Sequence, residues 1–137
     1  MCCPAWSYDG SKIAYSVTDH EESYVETVDP DGSGRRFFSY GGAPDWSPDG
    51  SQMVFGRSGS IRKIDADGTD EVGLTTGESY DSGPAFSPDG GKIVFQRTPR
   101  DGNFVYDLHI MDADGTDVGP LTSTPALEMS PDWRPVR

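Results

Sequence analysis

Pro44-Asp45-Trp46-Ser47-Pro48-Asp49-Gly50-Ser51 is the stretch on which the reading of this chain turns, because it recurs. Upstream stands Pro4-Ala5-Trp6-Ser7-Tyr8-Asp9-Gly10-Ser11, and downstream Pro84-Ala85-Phe86-Ser87-Pro88-Asp89-Gly90-Gly91, each 40 residues from the central copy. A truncated copy, Pro131-Asp132-Trp133-Arg134-Pro135, follows after a longer interval of 47 residues, so the third repeat carries an insertion in one loop. A fixed period of some tens of residues marks an architecture whose units bury their apolar faces only by stacking, and about 40 residues is the span of one four-stranded blade.

The residues that follow each copy agree with that period. After the Asp-Gly turn come Lys12-Ile13-Ala14-Tyr15, Gln52-Met53-Val54-Phe55 and Lys92-Ile93-Val94-Phe95, apolar runs of the length of a buried strand. Next, Ile61-Arg62-Lys63-Ile64 and Tyr106-Asp107-Leu108-His109-Ile110 alternate with the period of two of a pleated strand. These segments end at Asp29-Pro30-Asp31-Gly32, Asp65-Ala66-Asp67-Gly68 and Asp112-Ala113-Asp114-Gly115. Asp-Gly between strands signals a hairpin, because glycine accepts the positive φ that tight turns require. The expected class is all-β, a β-propeller with three four-stranded antiparallel blades per chain. Residues 1–137 form one partial propeller, with blade 1 about 4–43, blade 2 about 44–83, blade 3 about 84–130 and a closing strand at 131–137.

These residues resemble the TolB-like, WD-repeat-like propeller family. Its repeat runs from an aromatic and Ser-Pro-Asp-Gly through an Ile-Ala-Phe-like strand and an Asp-x-Asp-Gly turn to a strand ending in Leu-Thr. The match lies at Trp46 to Gly50, Phe86 to Gly90, Leu74-Thr75 and Leu121-Thr122, and the resemblance covers essentially the whole chain. Blade 1 departs from it, with Tyr8 where proline is usual and Phe37-Phe38 where Leu-Thr is usual. The resemblance implies a periplasmic or extracellular protein, although Met1 to Gly10 has neither the charged nor the apolar region of a signal peptide.

Composition narrows the partners. Among 137 residues, 17 glycines, 11 prolines and 11% aromatics suit an all-β chain better than a helical one. Lys and Arg total 11 against 23 Asp and Glu, a net charge of −12, which repels phosphate backbones and anionic headgroups. Nucleic acid is therefore excluded as a partner, and no apolar run is long enough to insert into a membrane. Cys2 and Cys3, adjacent at one terminus, staple nothing and have no further Cys or His nearby to share a metal.

Candidate functional residues fall into three sets. Trp6, Trp46, Phe86 and Trp133 occupy equivalent points and are expected to form the inter-blade core, each burial contributing about 1.5–3 kcal/mol. Asp45 and Asp132 precede tryptophans on the strand nearest the propeller axis, where a carboxylate leaving water needs a partner. That partner is either a backbone amide of the adjacent blade or a cation in the channel; Ala5 and Ala85 leave any acidic ring incomplete. Calcium is the one possible cofactor, yet the Asp65 to Asp70 and Asp112 to Asp117 stretches are not EF-hands. Thr76 and Ser123 stand where the closing carboxylate belongs. The third set lies at the channel mouth, where B–C and D–A loops gather: Asp19, His20, Tyr80, Asp81, Arg97, Arg100, Asp101 and Glu128, suited to hydrogen-bonding a peptide or sugar.

No nucleophile elbow, zinc-binding His-Glu-x-x-His, phosphate-binding loop or dinucleotide glycine pattern occurs, so no catalytic residue is expected. Three blades do not surround an axis, and radial closure is what protects blade faces. The expectation is a homodimer completing a six-bladed ring, a non-enzymatic scaffold for protein interaction or self-assembly. The alternatives are an accessory or gating propeller of a larger, peptidase-like hydrolase, or a glycan-acting enzyme. Pro4-Ala5-Trp6 and Pro131-Asp132-Trp133 compete for one innermost strand position where such a ring closes.

Overall fold

A computed structural model describes residues 4–103, 105–122 and 131–133. Three four-stranded antiparallel sheets follow one another, each a simple meander. Blade 1 comprises β1 (Ala5–Trp6), β2 (Ile13–Asp19), β3 (Glu22–Val28) and β4 (Arg36–Tyr40). Blade 2 comprises β5 (Gly42–Trp46), β6 (Gln52–Arg57), β7 (Ser60–Asp65) and β8 (Val72–Gly73). Blade 3 comprises β9 (Tyr80–Phe86), β10 (Lys92–Thr98), β11 (Asp107–Asp112) and β12 (Gly119–Pro120). No helix among the described residues is long and apolar enough to cross a membrane.

The recurring octapeptide is a turn that satisfies itself. The Ser47 hydroxyl donates to Asp49 (2.7 Å) and accepts the Gln52 amide (2.9 Å), and Asp49 also accepts the Ser51 amide (3.0 Å). Gly50 stands at φ +72°, with its amide donating to the Ser47 carbonyl at 2.9 Å. Both bonds of the serine hydroxyl recur at Ser7 and Ser87, so the motif locks the step from the first strand of a blade to its second.

Alternation along the second and third strands sends one face of each blade forward and one back. Ala14 and Val25 of blade 1 pack with Trp46, Met53, Phe55 and Ile64 of blade 2. Val54 and Ile61 of blade 2 pack with Phe86, Ile93, Phe95 and Met111 of blade 3. The core is thus two seams between blades.

The structure differs from expectation in two places, and it locates the expected insertion. The innermost strands begin at Gly42 and Tyr80, upstream of the predicted boundaries at 44 and 84. The β5–β6 register jumps from Gly42↔Gly56 to Asp45↔Val54, and the β9–β10 register from Ser82↔Gln96 to Ala85↔Val94. Proline has no N–H for the ladder, so each strand bulges around Pro44 or Pro84 and resumes on its far side. The insertion of the third repeat lies in its B–C connection, residues 99–106, where blades 1 and 2 turn through two residues. Trp6, expected in the inter-blade core, is 56% exposed, whereas Trp46 and Phe86 are 5% and 3% exposed. The reason is positional: Trp6 faces the side of blade 1 that has no preceding blade within the chain.

Candidate functional site

The starts of β5 and β9, the ends of β2 and β6, and the turns after them enclose a groove of about 540 Å³ at the predicted channel mouth. Tyr80 and Asp81 line it, beside Ser16, Thr18, Tyr40 and Ser58. Asp81 is 1% exposed and is gripped by Arg97 through two bonds of 2.7 and 2.9 Å. That pairing consumes both charges, so neither is a free ligand group. The Arg97 guanidinium also lies 5.4 Å from the centre of the Phe95 ring. Arg100, from the inserted loop, donates to the carbonyls of Gly77 (3.0 Å) and Ser58 (3.3 Å) and covers the Tyr80 ring at 5.7 Å. It clamps blade 3 onto blade 2. Asp101 accepts the amide of Asn103 at 3.0 Å and thereby ties its own loop.

The remaining mouth residues are dispersed. Asp19 and His20 sit with Tyr24 in an open recess on blade 1 that adjoins the groove through Glu21 and Glu22. Glu128 lies outside the described residues. Sequence reasoning missed Ser16, whose hydroxyl accepts the Ala43 amide at 2.7 Å and anchors the bulge of β5. It also missed Glu71, which Arg57 and Arg62 bracket in salt bridges, the latter at 3.0 Å. The available signal was register: Ser16 and Gly56 occupy equivalent places opposite Val25 and Ile61. With Asp81 and Arg57 both paired, hydroxyl groups, bulged backbone and the acids Glu21 and Glu22 give the groove its chemistry. His109 lies on β11 against Phe95; burial first, then the charge of Arg97, pushes its imidazole below the usual range. Among the described residues its Nδ1 and Asp107 Oδ1, both buried, find no hydrogen-bond partner.

At the axis the blades interlock through backbone. Trp46 Nε1 donates to the carbonyl of Ala5 in the preceding blade at 3.2 Å. Asp45 Oδ2 accepts the amide of Phe86 in the following blade at 2.8 Å, which is the backbone-amide partner that sequence reasoning set beside a cation. Burial pushes the Asp45 carboxyl up to about 6, against the pull of the Phe86 and Trp46 amides, and Asp132 adds to the rise. The Tyr8 phenol is also raised, by burial and then by Asp45 and Asp132. Asp132 itself is exposed and accepts the Trp133 amide at 2.8 Å. Among the described residues no three His, Cys, Asp or Glu side chains converge as a metal site.

Trp133 repeats the interlock. Its Nε1 donates to the carbonyl of Ala85 at 3.2 Å, the same distance and the same equivalent acceptor as for Trp46. Pro131–Trp133 therefore stands where the innermost strand of a fourth blade belongs. The fold is a partial β-propeller. Solved structures agree. A protein described as TolB from Agrobacterium tumefaciens aligns with 26% identity and a TM-score of 0.79, covering 86% of this chain and 47% of that one. TolB from Acinetobacter baumannii aligns with 22% identity and a TM-score of 0.51, covering 93% of this chain and 45% of that one. The β-propeller domain of the Trilobed protease from Pyrococcus furiosus, with an open velcro topology, aligns with 17% identity and a TM-score of 0.64, covering 87% and 42%. The chain spans about half the length of the TolB structures it matches. No protein-family model matches it, and no curated protein does.

Proposed function

We propose that this chain is a non-enzymatic, self-assembling scaffold for protein interaction, in which two copies complete a six-bladed ring. One observation carries the reading: the outer faces of blades 1 and 3 repeat the residues that form the internal seams. By register, Ile13, Tyr15 and Val28 of blade 1 stand where Met53, Phe55 and Ile64 stand in blade 2, and where Ile93, Phe95 and Met111 stand in blade 3. In blades 2 and 3 every one of those six is buried against the preceding blade. At the other end, Leu108 stands where Ile61 packs against the following blade, while Val94, the counterpart of Val54, is already buried within the chain. A second copy brings the matching half to each end, so the contact closes after two subunits instead of propagating.

The channel mouth, with its hydroxyl-rich groove, is then the surface offered to a protein or peptide. An extracytoplasmic site of action belongs to the same reading and rests on the TolB-like repeat. Light scattering on the purified chain is expected to give twice its 14.8 kDa mass. A monomer that persists at all concentrations, with native-like β-structure, overturns the assembly.

A further inference from the structure

We infer that in the dimer Pro131–Trp133 crosses the seam and becomes the innermost strand of the partner's first blade, displacing β1 from that position. This inference rests on the self-assembly reading and specifies which strand fills the contested slot.

Four observations favour exchange over simple abutment. First, Trp133 already occupies the slot, with its indole bonded to Ala85 as that of Trp46 is to Ala5. Second, among the described residues Pro131–Trp133 pairs in no ladder, whereas Trp46 pairs with Met53 and Phe86 with Ile93. The missing neighbour is a strand of the β2 kind, which blade 1 of a second copy supplies. Third, the present occupant of the β2 edge is short. Among the described residues two pairs, Ala5↔Ala14 and Trp6↔Ile13, join β1 to β2, and Trp6 is largely exposed. An incoming strand replaces those two pairs one for one, setting Asp132 opposite the partner's Ala14 and Trp133 opposite the partner's Ile13.

The fourth observation decides which strand the slot prefers. Asp45 bonds the amide of the aromatic residue in the blade that follows it. Asp132 is the residue equivalent to Asp45 and is exposed, with no following blade within the chain. In the exchanged ring that following blade is the partner's second, and the amide presented to Asp132 is that of the partner's Trp46. Ala5 stands at the same repeat position and has no carboxylate to offer. Exchange therefore gives that amide a side-chain oxygen acceptor at each seam, which β1 does not offer.

Dimer dissociation constants from sedimentation of the full chain and of Asp132→Ala, Trp133→Ala and Trp6→Ala test this, with circular dichroism checking that each variant folds. Exchange predicts at least tenfold weaker dimers for Asp132→Ala and Trp133→Ala, and a change under twofold for Trp6→Ala. The opposite order overturns it while leaving the dimer itself intact. A wild-type chain that is monomeric throughout refutes the assembly instead. A second measurement does not depend on losing Trp133. Chains carrying Asp132→Cys are mixed with chains carrying Ala14→Cys, both with Cys2→Ser and Cys3→Ser. Oxidation is expected to give an intermolecular disulfide, and a stable dimer that forms none excludes exchange.

Discussion

Asp45 accepts the Phe86 amide from a site largely removed from water, and burial pushes its carboxyl up to about 6. Its folded pKa lies above the ordinary carboxyl value of 3.8, so the native state holds the proton more tightly than the unfolded chain. The stability that this group contributes is full below about pH 4 and is lost as pH rises through 6. At pH 8 the ionised side chain costs up to about 3 kcal/mol, at about 1.4 kcal/mol per pKa unit. Asp45→Asn keeps a carbonyl acceptor for the amide and removes the charge. The variant is expected to raise the urea midpoint at pH 8 and to change it little at pH 4.5; a lower midpoint at pH 8 refutes this account. The chain's sequence disclosed this residue because an acid beside a repeated tryptophan needs a partner. It did not disclose that Asp81 and Arg97 consume each other, since that depends on their standing opposite one another in the β9–β10 ladder.

The turns and ladders follow from local chemistry, which is why the four strands of each blade were legible from Asp-Gly spacing and alternation. The bulges in β5 and β9 were not, because they depend on the ladder that Pro44 and Pro84 interrupt and on the positive φ that Ala43 (+52°) and Gly83 (+61°) take beside them. Gly41 enters β5 at φ +122°, and a Cβ there meets the Gly56 carbonyl oxygen at 2.6 Å and the Phe55 ring at 2.7 Å. Gly10, in the first octapeptide turn, is at φ +73°, and a Cβ there has nothing within 4 Å. Both alanine variants incur the left-handed penalty, about 1–2 kcal/mol. Only Gly41→Ala adds a clash with backbone and a packed ring, worth about 1–3 kcal/mol more. Equilibrium denaturation is expected to rank Gly41→Ala as clearly the more destabilising; equal losses imply that the entry to β5 relaxes away from Gly56 and Phe55.

At the scale of the assembly, apolar repeat faces pull two copies together while their charge pushes them apart. Each chain carries −12, and the three blade-outer residues that count most at the seams, Ile13, Val28 and Leu108, bear none of it. Attraction there is hydrophobic and indifferent to moderate salt, whereas repulsion between two acidic halves is long-ranged. Screening shortens from about 30 Å at 0.01 M salt to about 8 Å at 0.15 M, so the repulsive part fades first. The dimer is therefore expected to tighten severalfold between those concentrations, measured by sedimentation at fixed pH. A ring held by ion pairs across its seams behaves in the opposite way and loosens with salt. The titration thus separates a seam that continues the blade packing seen within the chain from one built on surface charge.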